Sequence, residues 1–143
     1  MTSNANRPKG FLVFAGVVTL FALGTIAFWA VFFTAGFVSA SDRPAYLEHE
    51  KSFPLADSYA VVCAFLCVVG LIKRKSWAVL FGVAAGSGII FLGLMDTLYA
   101  LEQGLIYDLS FPSIETFLIC LICLVLGPVM IIYMWWNREY FLL

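Results

Sequence analysis

The sequence predicts an all-α integral membrane protein, a single domain over residues 1–143 in which four transmembrane helices form a bundle. Hydrophobic residues make up 63% of the chain and charged residues only 12%, whereas soluble domains carry about 25% charged residues. Four long apolar runs are separated by polar segments, and each run approaches or exceeds the ~18 residues typical of a membrane span. Lysine and arginine also concentrate on one predicted side of the membrane, which is typical of multi-pass proteins.

The first span is expected at residues 11–38, which contain no charged residue. At ~1.5 Å per residue a helix of this length exceeds a hydrocarbon core of ~30 Å, so it should tilt or project from the membrane. The alternative is a secretory signal peptide, because Val38-Ser39-Ala40 has the small residues of a cleavage site. The apolar core of a signal peptide is only about 7 to 15 residues long, which favours a retained span.

The other three spans are expected at residues 54–72, 77–101 and 111–136, with polar connections at 39–53 and 102–110. A recurring motif marks two of their starts. Ser52-Phe53-Pro54 is followed by Asp57, and Ser110-Phe111-Pro112 is followed at the same distance by Glu115. Proline suits the first turn of a helix, and an acid there meets the positive end of the helix dipole. Each copy therefore predicts a helix start.

The distribution of basic residues predicts that both termini are cytoplasmic. With that orientation the outer side carries Arg43 and Lys51, and the inner side carries the six others, Arg7, Lys9, Lys73, Arg74, Lys75 and Arg138. This positive-inside bias predicts a multi-pass protein of the cell membrane. The net charge of −1 and the lack of a basic recognition stripe exclude nucleic acid from the expected partners.

The carboxylates show the sharpest asymmetry, because eight of the nine lie in the predicted outer connections or at the outer ends of spans. Five are interpreted as solvated loop acids, namely Asp42, Glu48, Glu50, Glu102 and Asp108. Asp57, Asp96 and Glu115 fall within predicted helices instead. A charge at the bilayer centre costs roughly 3 kcal/mol, and a helix N-terminus returns about 0.3 to 1 kcal/mol. The helix dipole thus accounts for a shallow Glu115 but only partly for Asp57.

The third span has a glycine-lined side. At 100° per residue, Gly82, Gly86, Gly93 and Asp96 share one face of this helix, and residues 82–86 form a GxxxG pattern. Small residues let another helix approach closely, so these glycines are predicted to be helix-packing residues. Asp96 should then point into the bundle.

These placements predict an outer-facing polar pocket between the second, third and fourth spans. Its expected ligand-binding residues are Asp57, Asp96, Tyr59, Tyr99 and Glu115. An acid inside a membrane span is by default a functional hypothesis, although a structural hydrogen bond between helices is the alternative role.

His49 and the cysteines are the remaining chemical candidates. No second histidine or loop cysteine completes a metal site around His49, so a solvated loop histidine is expected, with no metal and no other cofactor. Cys120-Leu-Ile-Cys123 resembles the CxxC that membrane thiol oxidoreductases of the vitamin K epoxide reductase type carry near the outer end of a span, which would imply a redox role. Those enzymes also use loop cysteines, whereas all four cysteines here lie in apolar runs. Packing as small hydrophobic residues is the preferred interpretation.

The sequence thus predicts a small accessory or binding protein whose outer pocket or glycine-lined helix face engages a protein, a lipid or a small ligand. The lipid bilayer is its expected environment, and assembly as a homo-oligomer or with a membrane-protein partner is compatible with the glycine face. The alternative is a proton- or cation-linked carrier or a membrane-embedded enzyme that uses Asp57 and Asp96. The sequence contains no nucleotide-binding loop, HExxH motif or nucleophile elbow that would indicate an enzyme.

Overall fold

The computed structural model describes residues 7–36, 44–107 and 110–142, and within these ranges the chain forms helices and turns without any strand. The elements are α1 (Phe11–Ala35), α2 (Pro44–Glu50), α3 (Pro54–Ile72), α4 (Trp77–Glu102), a 3₁₀ turn (Leu105–Tyr107), α5 (Phe111–Trp136) and α6 (Arg138–Leu142). The cleavage-site candidates Val38 to Ala40, the loop acids Asp42 and Asp108, and Arg43 lie outside the described residues.

The predicted all-α fold with four spans is confirmed. Helices α1, α3, α4 and α5 are each long and apolar enough to cross a membrane, so the protein is of the multi-pass membrane type. The boundaries agree with the expected ones to within a few residues. The largest difference is at the end of the first span. Helix α1 ends at Ala35 instead of residue 38, because the next residue, Gly36, adopts a left-handed conformation with φ 63°. Glycine in that conformation is a common helix stop, and the apolar pattern beyond it did not reveal the stop.

The connection expected at residues 39–53 contains a short helix, α2, which composition alone did not predict. Pro44 occupies the first position of α2, where its fixed φ favours a helix and its missing N–H is not needed. The chain continues from α2 into α3 through hydrogen bonds from Lys51 N to Leu47 O at 3.0 Å and from Phe53 N to Glu50 O at 3.0 Å. Helix α2 therefore lies at the start of α3, at the end of the bundle opposite both termini. We call this the α2 end.

The long helices pack in the order α1, α3, α4, α5, each against the next. The largest fully buried side chains between them are Val18 of α1, Cys67 and Leu71 of α3, Ile89 of α4, and Met130 and Met134 of α5. Cys67 and Met134 bring their sulfur atoms to 4.0 Å across the bundle. The core thus runs along the bundle, from Phe11 near the termini to Phe53 at the α2 end, and joins all four long helices.

The glycines predicted to pack do lie at the contacts of α4. A Cβ atom added at Gly86 would lie 2.7 Å from the carbonyl oxygen of Gly127 in α5, and one added at Gly93 would lie 2.7 Å from Cβ of Cys123. At Gly82 the added atom would lie 2.5 Å from Cγ of Met134. Since these distances leave no room for a methyl group, the glycine-lined face of α4 is already covered by α5 within one chain.

Helices α1 and α5 meet near the termini. The rings of Phe14 and Tyr133 stack with centroids 4.0 Å apart and planes at 15°, and the Tyr133 hydroxyl donates to the Lys9 carbonyl oxygen at 3.3 Å. Towards the α2 end the two helices enclose a cavity instead of packing against each other. This cavity is the candidate site.

Candidate functional site

The cavity has a volume of about 820 Å³ and lies between α1, α3, α4 and α5, with α2 at one end. Ligand pockets in proteins typically measure about 300 to 1,000 Å³, so the space is large enough for an organic molecule. Its lining divides into two zones. The zone towards the termini is apolar, and the zone at the α2 end carries the polar side chains.

The apolar zone is formed by facing sides of α1 and α5. Its walls include Val17, Leu20 and Phe21 of α1 and Ile122, Val125 and Val129 of α5. Several of these side chains also reach the outer surface of the bundle, as shown by the exposed fractions of 72% for Leu20 and 55% for Val125. The cavity therefore opens sideways between α1 and α5, and its rim is aliphatic. In a membrane this rim faces lipid chains, so the opening leads towards the bilayer.

Among the described residues, three carboxyl groups lie in the polar zone, those of Glu50 of α2, Asp57 of α3 and Asp96 of α4. They are close enough to repel one another, because Asp96 interacts electrostatically with both Glu50 and Asp57. The interactions of the three acids with described residues include no lysine or arginine. A carboxylate in the centre of a membrane costs roughly 3 kcal/mol even on the lower scales, so three such groups in a largely apolar cavity are costly unless something offsets their charge.

Asp57 accepts a hydrogen bond from another long helix. The indole Nε1 of Trp29 in α1 donates to Asp57 Oδ2 at 2.7 Å. A hydrogen bond to a charged group contributes about 1.5 to 3 kcal/mol, so this bond offsets a large part of the cost of placing Asp57 here. It also ties α1 to α3 beside the cavity. Glu50 is hydrogen bonded by the side chain of Tyr46, one helical turn earlier in α2.

Aromatic rings hold α2 over the polar zone. His49 of α2 stacks on Tyr99 of α4 with centroids 3.9 Å apart and planes at 8°, and it also contacts the Phe53 ring at 4.9 Å. Tyr46 lies 5.8 Å from the same Tyr99 ring. The structure also shows how His49 is buried. It is half-buried rather than solvated, and its Nε2 atom is buried with no hydrogen-bond partner among the described residues.

The predicted pocket residues divide into two groups in the structure. Asp57, Asp96 and Tyr99 line the cavity together. Tyr59 does not line it. Its side chain is 56% exposed, and its ring lies 3.7 Å from the position of a Cβ atom added at Gly88, on another side of the bundle. Glu115 is partly exposed and does not line the cavity either, whereas its neighbour Thr116 does. We therefore leave Tyr59 and Glu115 out of the candidate site.

Sequence reasoning missed Glu50, His49, Trp29 and the whole contribution of α1. Glu50 and His49 were expected to be solvated loop residues, an expectation that is wrong because α2 folds them over the cavity. Glu48 and Glu102 are exposed as expected. Trp29 had a usable signal. An indole inside an apolar span carries an N–H that needs an acceptor, and the acids of the other spans were the available acceptors.

The four cysteines are buried and free, with no disulfide among them. Cys120 and Cys123 form part of the cavity wall on α5, while Cys67 lies in the core. This placement agrees with their interpretation as small packing residues. Among the described residues, no three His, Cys, Asp or Glu side chains converge to hold a metal ion.

Comparison with protein-family models, curated proteins and solved structures gives no match. The chemistry of the cavity is therefore the basis for the functional argument. Its two zones, one aliphatic and open to the side, the other acidic and covered by α2, fit a molecule with an apolar tail and a polar head.

Proposed function

We propose that this protein is a binding protein of the cell membrane that takes an amphipathic ligand from the bilayer into the cavity between α1 and α5. The observation that carries the proposal is the division of one cavity into an apolar zone and a polar zone. The ligand's tail would lie along Val17, Phe21 and Val125, and its head would lie at Asp57 and Asp96. The sideways opening supports entry from the lipid phase rather than from water.

The same proposal includes a place in the membrane. With the orientation that the positive-inside bias predicts, the α2 end faces outwards and both termini face the cytoplasm. Asp57 and Asp96 then lie within spans, near their outer ends, and the head of the ligand lies close to the outer lipid head groups. This depth suits a membrane-borne amphipath, whose own polar group lies at the same level.

Engagement of a partner through the glycine-lined face of α4 is less well supported than binding in the cavity. That face, with its GxxxG pattern, contacts α5 in the same chain, so it offers no free surface to a second protein. A homo-oligomer or another membrane-protein partner would have to use a different surface, and this stays a prediction.

A pair of glycine variants on α1 provides the test. Both glycines are exposed, and neither has a heavy atom within 4 Å of an added Cβ. They differ in that Gly24 lines the cavity and Gly16 does not. Gly24→Phe should therefore place a ring at the cavity from a Cβ position that is free of contacts, and Gly16→Phe is the matched control with the same change on the same helix. The measurement is native mass spectrometry of protein released from lipid nanodiscs, which also reads the oligomeric state.

We expect a bound mass on the wild type and on Gly16→Phe, and its loss from Gly24→Phe. An equal bound mass on all three proteins would contradict binding in this cavity. A bare chain in all three would also contradict the proposal if lipid extracts added to the nanodiscs fail to restore a bound mass.

The three carboxyl groups support a second candidate, a proton- or cation-linked carrier or a membrane-embedded enzyme that uses Asp57 and Asp96. Here the acids would have to change their protonation or bound cation during each cycle. Asp57→Asn and Asp96→Asn should then abolish transport or turnover while leaving ligand binding measurable. If both variants lose the bound ligand instead, the acids act in binding and the first candidate is favoured.

A further inference from the structure

We propose that the head group of the ligand is a protonated amine. This inference rests on the proposed function and specifies the chemistry of the molecule that the cavity takes. The observations behind it are the charge of the polar zone, the spacing of its acids, the rings around it and one unpartnered nitrogen.

The charge of the polar zone selects a cation. Glu50, Asp57 and Asp96 line the same end of the cavity and act on one another as like charges. Trp29 and Tyr46 supply neutral hydrogen-bond donors, but these do not cancel the charge. A positive head group would, since an opposite charge within a few ångströms favours the ionised carboxylate. The same three acids repel a phosphate, so an anionic head group that carries no amine is a poor fit.

The spacing of the acids selects an organic cation over a metal ion. Magnesium and calcium are bound at about 2.0 to 2.6 Å by converging oxygen atoms. No three His, Cys, Asp or Glu side chains among the described residues converge in that way. An ammonium group does not need converging ligands, because each of its N–H donors bonds a single acceptor. It can therefore bond one of the acids on α2, α3 and α4 while the other two attract its charge.

The aromatic rings and His49 favour a protonated amine among the organic cations. Tyr46, Phe53 and Tyr99 line the same end of the cavity as the acids, and ring faces attract ammonium groups. His49 contributes independent evidence, because its buried Nε2 has no hydrogen-bond partner in the described part of the chain. Buried polar atoms are nearly always paired, and the N–H of a protonated amine would supply the partner. A quaternary ammonium has no such hydrogen and would leave Nε2 unpaired.

The experiment compares four probes with the same twelve-carbon chain, namely dodecylamine, dodecyltrimethylammonium, dodecanol and dodecanoate. The full-length protein is placed in nanodiscs of phosphatidylcholine, and the retained probe is measured by native mass spectrometry from an equimolar mixture. We expect dodecylamine to be retained at least tenfold over dodecanol and dodecanoate, with dodecyltrimethylammonium between them. Asp96→Asn should reduce the preference for dodecylamine over dodecanol by about tenfold.

Two further variants serve as a control and as a second test. Glu102→Gln removes an exposed acid from the same end of α4 that does not line the cavity, and it should keep the wild-type preference. Glu50→Gln changes an acid on α2, outside the four long helices, and should lower the preference even if Asp96→Asn folds poorly.

The outcomes separate this inference from the function on which it rests. Equal retention of dodecanol and dodecylamine, both lost in Gly24→Phe, would overturn the amine head group and leave cavity binding intact. Equal loss of preference in Glu102→Gln and Glu50→Gln would also overturn it, because the selectivity would then come from general surface charge. Retention of all four probes unaffected by Gly24→Phe would overturn the proposed function itself.

Discussion

A methyl group added at Gly86 should destabilise the bundle, although alanine is a better helix former than glycine. The added Cβ would lie 2.7 Å from the carbonyl oxygen of Gly127, 2.9 Å from Cγ1 of Ile131 and 3.2 Å from Cβ of Met130. The first of these atoms belongs to the backbone of α5, so it cannot rotate away. Helix α5 would have to move as a whole, and with it one wall of the cavity.

The expected loss of unfolding free energy is worked out by comparison with Gly88, two residues further along the same helix. A Cβ atom added there would lie 3.7 Å from the Tyr59 ring and 3.9 Å from Cβ of Ala60, and both distances are ordinary contacts. Both substitutions gain about 0.5 to 1 kcal/mol from helix propensity, so this gain cancels in the difference between them. Overpacking costs about 1 to 3 kcal/mol, and Gly86→Ala should therefore be about 1 to 3 kcal/mol less stable than Gly88→Ala.

The assay is reversible unfolding in mixed micelles, followed by circular dichroism as the denaturing detergent fraction increases. Gly88→Ala should unfold at or above the wild-type midpoint, and Gly86→Ala below it. If Gly86→Ala unfolds at the same midpoint as Gly88→Ala, α4 and α5 are not in backbone contact at this position. The packing description would then be incorrect.

Three other perturbations test the contacts around the cavity. Trp29→Phe removes the hydrogen bond to Asp57 and should cost about 1 to 3 kcal/mol of unfolding free energy. A cost of the same size in the Asp57→Ala background, which has no side-chain acceptor, would show that the bond is not the reason. Tyr99→Ala removes the ring on which His49 stacks, so amide hydrogen exchange at residues 44–50 should accelerate, with exchange in α5 as the internal control. Phe14→Ala removes the ring contact between α1 and α5, and exchange near the start of α1 should accelerate at least tenfold if that contact holds the helices together.

The four spans could be predicted because length and composition decide them. A long uncharged run such as residues 11–35 has no stable alternative to a membrane helix. The packing face of α4 could be predicted for a similar reason, since the spacing of Gly82, Gly86 and Gly93 follows the helical period. Both features are local, so the identity of neighbouring residues is sufficient to recognise them.

The candidate site was only partly predictable because it depends on the order of helices around the bundle. Asp57 and Asp96 were recognised as unusual acids, but nothing local indicated that α1 would form a wall beside them. Tyr59 was included because it is close to Asp57 in sequence. Two residues along a helix correspond to 200° of rotation, so the two side chains point to nearly opposite sides, and the structure places Tyr59 accordingly.

The short helix α2 shows a different limit. Its residues are polar, so composition alone indicates a solvated loop. What holds it in place is the contact between His49 and Tyr99, fifty residues apart in the chain, and no local pattern contains that contact. Glu50 enters the cavity as a consequence of this same contact. Sequence reasoning therefore missed two polar side chains of the site for one physical reason.

The cavity forms because α1 and α5 pack against different helices. Gly86 and Gly127 bring α4 and α5 into backbone contact, which holds α5 on the α4 side of the bundle. Helix α1 is held to α3, where Val18 and Ala22 are fully buried and Trp29 bonds to Asp57. The two walls thus belong to helices that are anchored to different partners, and the ring contact at Phe14 closes the space near the termini.

A bundle selected only for stability would fill such a space with large side chains, yet Gly24 and Thr25 face it. Small residues beside an acidic, aromatic end leave room for a ligand, and this combination is the basis of the proposed binding function.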